Sequence, residues 1–124
     1  MANVTTVVNG GLDLVTALLA ASDIKYISWG TDGTEAAVTD TDLGAESAED
    51  RTSGTQTQQT TTTSNDTYQL VGSITATDDR AIVEAGIFDA STAGNLFVHC
   101  NFAVQNIPSG DTITFTFKIV SDQG

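Results

Sequence analysis

Positive charge is what this chain has least of. Its 124 residues carry 4 Lys and Arg against 16 Asp and Glu, a net charge of −12. Phosphate backbones and anionic lipid headgroups repel such a chain, so neither nucleic acid nor a membrane is an expected partner. A single cysteine excludes an internal disulfide, and one cysteine with one histidine cannot complete a tetrahedral zinc site. The longest apolar cluster, LDLVTALLAA, is too short to cross a bilayer. Catalytic signatures are missing too: there is no Gly-x-Ser-x-Gly elbow, and no glycine-rich run followed by Lys and Ser or Thr. No cofactor and no catalytic residue is expected. The opening MANVTTVVNGG has neither the basic start nor the apolar run of a signal peptide, so the expectation is synthesis in a cytoplasm.

What is present is β-forming sequence. With 40% hydrophobic residues the length suits one core, and one β-rich domain over residues 1–124 is expected. TITFTFKIV, Thr112–Val120, alternates Ile113, Phe115, Phe117 and Ile119 with Thr112, Thr114, Thr116 and Lys118, the strongest period-two pattern in the chain. IKYISWG, Ile24–Gly30, reads as a strand closed by glycine. Eight of the 17 residues in Arg51–Thr67 are threonine, a β-branched residue that favours extended structure over a flexible linker. That zone predicts a hairpin: a polar strand over Gly54–Thr61, a turn at Ser64–Asp66, and an apolar strand over Tyr68–Thr77. A strand polar on both faces has weakly specified register, so it belongs at a sheet edge or against another subunit. Leu12, Val15 and Leu19 share one helical stripe, with Leu14 and Leu18 beside it, which predicts a short amphipathic helix across Gly11–Ser22. Residues 1–10 precede it as an extended arm. The fold expected is mainly β, an antiparallel β-sandwich or barrel with one short N-terminal α-helix.

Two segments invite a chemical reading. Thr31–Asp50 holds seven acids and no base, which predicts an acidic surface loop over residues 31–50. Asp40, Asp42 and Gly44 faintly resemble the start of an EF-hand. The sixth and twelfth positions of that loop would be Ala45 and Arg51, where glycine and glutamate are required, so the EF-hand reading fails. The second segment, IVEAGIFDASTAGNLFVHCNF (Ile82–Phe102), sets Glu84 among apolar neighbours and His99 beside Cys100. DASTAGN is turn-rich, so Ala81–Phe88 and Leu96–Phe102 read as arms of a hairpin. On a strand His99 and Cys100 point to opposite sides of the sheet and cannot share a metal. Cys100 is then a small core residue and His99 an outward or interfacial one. Glu84 reads as a carboxylate accepting hydrogen bonds, with Arg80 or Arg51 as its charge partner, in preference to a general acid of raised pKa.

The segments ISWGTDGTEAAVTDTDLGAE, NDTYQLVGSITAT, AIVEAGIFDASTAGNLFVHCNF and SGDTITFTFKIV, in that order, resemble a group of small tailed-phage virion proteins. The resemblance runs from about Leu12 to Val120 and is greatest to capsid decoration (cement) proteins. It implies a non-enzymatic protein on the outer capsid surface, with the major capsid protein as partner, made in the host cytoplasm. A homo-oligomer is implied as well, a trimer favoured and a dimer possible. Asp32, Glu35, Asp40, Asp42 and Glu46 of the loop, with Thr55, Thr57 and Thr61 of the polar strand, are then the expected contact residues, and helix Leu12–Ala21 is expected to make contacts as well. Glu84, Arg51 and Arg80 are expected to be structural, and Leu96, Val98, Phe115 and Phe117 only to pack the core. The related Glu-x-Gly-Ile-Phe-Asp pattern, here Glu84–Asp89, also occurs in tail-fibre and baseplate-associated proteins, which gives a tail location as the alternative. A carbohydrate-binding sandwich is weaker, because Tyr26, Trp29 and Tyr68 are few and scattered.

Overall fold

A computed structural model describes residues 6–121. Seven strands and one helix follow in the order α1 (Asn9–Ala20), β1 (Tyr26–Gly30), β2 (Thr52–Ser53), β3 (Thr55–Gln59), β4 (Thr67–Thr75), β5 (Arg80–Phe88), β6 (Leu96–Ile107) and β7 (Thr112–Val120). They form two antiparallel sheets, β2–β1–β5–β6 and β3–β4–β7. The fold is therefore mainly β, a sandwich of two sheets with one short helix, as the alternation of apolar and polar residues requires.

Side chains from both sheets meet in a shared core. Ile27 and Trp29 of β1, Tyr68, Leu70 and Ile74 of β4, and Ile82 and Ile87 of β5 are essentially inaccessible to solvent. Each such side chain contributes roughly 1.5–3 kcal/mol on leaving water. Trp29 meets Phe115 edge-on, with ring centroids 6.3 Å apart. The sheets are joined at a corner: β2 and β3 are one run of chain broken only at Gly54. A Cβ there would lie 2.6 Å from Leu70 Cδ1, so only glycine lets the corner approach the core so closely.

The two open sides of the sandwich are treated differently. On the β2/β3 side α1 closes the gap, with Leu19, Ala20 and Ile24 packed on the core. Thr16 Oγ1 donates to the Asn65 carbonyl at 2.6 Å, and Gln58 Nε2 donates to Asp13 Oδ1 and Thr16 Oγ1 at 2.8 and 2.9 Å. On the far side β6 and β7 are the last strands of their sheets, and no further strand among the described residues pairs with either.

Several expectations need correction. The helix spans Asn9–Ala20 in place of Gly11–Ser22, running through both glycines. Its buried face is Leu12 and Thr16, while Val15, Leu14 and Leu18 are exposed. The hydrogen bonds of Thr16 decide that rotation, and a hydrophobic stripe alone cannot foresee them. The first five residues of the expected arm over 1–10 lie outside the described residues, and Asn9 and Gly10 belong to α1. The first strand starts at Tyr26, two residues later than read. The polar strand does lie at a sheet edge, but it stops at Gln59 because Thr61–Thr63 wrap around the Asp66 carboxylate. The arm expected to end at Phe102 continues to Ile107. Finally, Val98, Phe115 and Phe117 do pack on the core side but are only half-buried, whereas Leu96, beyond a register slip at Phe88, lies on the opposite face beside Gly86 and Leu43.

Candidate functional site: an acidic loop fastened to the outer face of a sheet

The β2–β1–β5–β6 sheet turns one face to the core and the other to the loop of residues 31–50. Trp29 pairs with Ala85 and Ile27 with Ile87 on the core face, so Ser28, Gly30, Glu84 and Gly86 look the other way. Pairing with β6 adds His99 opposite Gly86 and Asn101 opposite Glu84. The register slips between Ile82 and Glu84. That irregularity resets the alternation, leaving Ile82 in the core and Glu84 beneath the loop.

Glu84 is fully buried and accepts four hydrogen bonds. Its Oε1 takes the Gly44 amide at 2.8 Å and His99 Nε2 at 2.9 Å. Its Oε2 takes the amides of Asp32 at 3.0 Å and Ala45 at 2.8 Å. One carboxylate thus gathers two stretches of loop that are far apart in sequence. A Cβ on Gly30 would lie 2.5 Å from both the Ala45 carbonyl oxygen and Glu84 Oε2, so the sheet must be bare at that point. His99 Nδ1 meets Asp40 Oδ2 at 2.6 Å, and Asn101 Oδ1 accepts the Ala36 amide at 2.6 Å. The middle of the loop is held to β6 in this way.

The end of the loop has its own fastening. Glu46 accepts from Ser28 Oγ, from Arg51 Nε at 2.8 Å and from Arg51 Nη2 at 3.1 Å. Arg51 also donates to the carbonyls of Ala90 and Ala93 at 2.9 and 2.7 Å, and its guanidinium lies 3.5 Å from the Phe88 ring centroid. Glu49 accepts from Trp29 Nε1, Ser47 Oγ, the Thr77 amide and hydroxyl, and Arg80 Nε. Among the described residues no buried side-chain polar atom lacks a partner.

These bonds overturn two expectations. The partner of Glu84 is His99, not Arg80 or Arg51, which pair with Glu49 and Glu46. His99 is not outward: its side chain is only 8% exposed. The separation of His99 from Cys100 stands, since Cys100 sits opposite Ala85 on the core face. Burial pushes the Cys100 thiol upward, against a bond to the Ala85 carbonyl that lowers it.

The expected contact residues divide into two groups on different sheets. Thr55, Thr57 and Thr61 belong to β3 and the turn after it, on the smaller sheet, while the acids belong to the loop on the larger one. Within the loop Asp32, Asp40 and Glu46 are engaged internally, Asp32 by the Thr34 amide and hydroxyl. Glu35, Asp42 and Asp50 are exposed. Among the described residues no group of three or more His, Cys, Asp or Glu is placed to hold a metal ion.

Chemically the cluster is a fastening. His99 has a carboxylate on each nitrogen and faces no hydroxyl or thiol from which it could take a proton. Among the described residues the partners of both His99 nitrogens are the carboxylates of Asp40 and Glu84.

Two carboxylates away from the loop's centre make the fold acid-sensitive. Burial would raise Glu49, but its bonds from Ser47, Thr77, Trp29 and Arg80 outweigh that and hold it well below its ordinary value of 4.5. The amides of Thr63 and Thr61, then that of Thr62 and the Thr67 hydroxyl, hold Asp66 well below 3.8. A depressed folded-state pKa contributes stability that is fully present above the unfolded value and is lost as pH falls through the folded one. The melting temperature should therefore be level from neutrality to about pH 5 and fall steadily below it. A Tm profile flat down to pH 3 would show that these bonds do not stabilise the fold.

Sequence comparison gives the class: the chain is a virion structural protein of the tailed-phage type. It belongs to the family of the podophage GP4 fiber I protein gp80, whose family model matches residues 15–121. No curated protein gives a significant match. Of the two virion locations implied by the earlier resemblance, the family favours the fibre over capsid decoration.

Proposed function

We propose that this protein is a non-enzymatic building block of a tailed-phage fibre, and that the loop of residues 31–50 is a preformed surface for a basic partner in the virion. The family match over residues 15–121 carries the reading. The geometry supports it in a second way. Glu84, His99, Asn101 and Arg51 anchor the loop at four places, so little conformational entropy remains to be lost when a partner binds. The carboxylates of Glu35, Asp42 and Asp50 stay at the surface of a chain with net charge −12, which favours encounter with positive surfaces. The histidine and glutamate that a hydrolase would use are both occupied in holding the loop.

Quantitative mass spectrometry of purified virions tests the location. A fibre component should be present in tens of copies or fewer per particle. Hundreds of copies, in a fixed ratio to the major capsid protein, would return the protein to the outer capsid surface as a decoration protein. Glycan arrays should be silent; specific binding there would favour a carbohydrate-binding sandwich instead.

A further inference from the structure

Two apolar surfaces that no described residue covers lie on opposite sides of the sandwich. The first is the outward face of α1, where Val8, Leu14, Val15 and Leu18 are 64%, 67%, 44% and 72% exposed. The one charged side chain of that helix, Asp13, is turned inward onto Gln58. The second is the gap between the edge strands β6 and β7, a groove of about 470 Å³ lined by Cys100, Phe102, Ile107, Ile113, Phe115 and Phe117. Phe102 and Phe115 face each other across it with centroids 6.3 Å apart. Gln105, paired with the core residue Ile82 and so on the same face, stands at its rim, and no charged residue lines it.

We infer that these surfaces are the two halves of one interface, in which α1 of one copy seats in the β6/β7 groove of the next. Charge argues for the pairing. Two copies of a chain at −12 repel over most of their surface, and these are faces through which they can meet without opposing carboxylates. Shape agrees with charge. A 12-residue helix is about 18 Å long, and the residues of β6 that line the groove run from Cys100 to Ile107, roughly 23 Å of strand, so the helix matches the groove in length along β6. Within one copy α1 already closes the β2/β3 side of the sandwich with its inner face, and the neighbour's α1 would close the other side with its outer face. The contact is heterologous, because one copy gives a helix and the other a groove. It must either close into a ring or continue as a filament, and it covers the unpaired edges of β6 and β7. The inference rests on these surfaces and holds wherever in the virion the chain sits.

Mixing two variants tests it. Leu18→Glu spoils the helix face and leaves the groove; Gln105→Glu spoils the groove rim and leaves the helix. Both residues are exposed, and matched circular dichroism and Tm would confirm that both variants fold. Wild type should associate with rising concentration in sedimentation velocity, and each variant alone should associate at least about tenfold more weakly. An equimolar mixture should form dimers and nothing larger, since one intact helix and one intact groove remain. Cys100, the only cysteine, reports on the same groove: its maleimide labelling should slow as wild type associates and not slow in Leu18→Glu. If Gln105→Glu alone dissociates, the groove pairs with itself; if Leu18→Glu alone dissociates, the helices pair with each other. Either result, or a wild type monomeric at all concentrations with Cys100 freely labelled, overturns the inference.

Discussion

Glu84→Gln is expected to destabilise the protein by about 2–6 kcal/mol, because two donors lose their acceptor and each orphaned donor costs roughly 1–3 kcal/mol. Glutamine keeps the volume of glutamate but only one of its oxygens. Whichever way the amide lies, one pair of donors faces an NH₂ group: Gly44 N–H with His99 Nε2, or Asp32 N–H with Ala45 N–H. Burial removes the option of water as a substitute, since Glu84 is 0% exposed. The melting temperature should fall by on the order of 10 °C. Hydrogen exchange should locate the damage, with the amides of Asp32, Gly44 and Ala45 exchanging faster while those of β4 and β7 lose protection only through the global loss of stability. A Tm within a degree or two of wild type, with those three amides still protected, would mean that Glu84 does not hold the loop.

Arg51→Lys should cost nearly as much, about 2–4 kcal/mol, despite keeping the charge. The guanidinium spans three places at once: the Glu46 carboxylate, the carbonyls of Ala90 and Ala93, and the face of Phe88. An ammonium is a point and cannot reach all three. Its side chain is 6% exposed, so water does not replace the lost contacts. The Ala90 and Ala93 carbonyls belong to a turn in which Ala93 has φ of 52°, a strained value for a residue with a Cβ. Arg51 helps to hold that strain, so the substitution should raise exchange in residues 89–95 and at the end of the loop together. Loss in only one of the two would show that Arg51 does not couple them.

The parts of this architecture that could be read from sequence are those that repeat. Thr112–Val120 alternates over its full length, and β7 has those bounds. The threonine-rich zone forms the expected hairpin, because β-branching acts locally. Glu84 could be recognised as a hydrogen-bonding carboxylate, since an acid among apolar residues needs partners. Its actual partners could not be, as they lie 15 to 52 residues away and three are backbone amides, which every sequence has. Arg80 and Arg51 were the plausible choices on charge, yet each is claimed by another loop acid. His99 is the instructive case. Alternation set it correctly on the face opposite Cys100, but a strand pattern says nothing of a loop covering that face. The rotation of α1 was hidden in the same way, by Thr16, a polar residue buried through a bond to Asn65.

The central claim, that this chain builds a tailed-phage fibre, is tested most directly by comparing reconstructions of virions with and without it. The account predicts that the missing density is confined to the tail fibres and that the shell is unchanged. Density lost from the outer surface of the capsid, with the fibres intact, would contradict it.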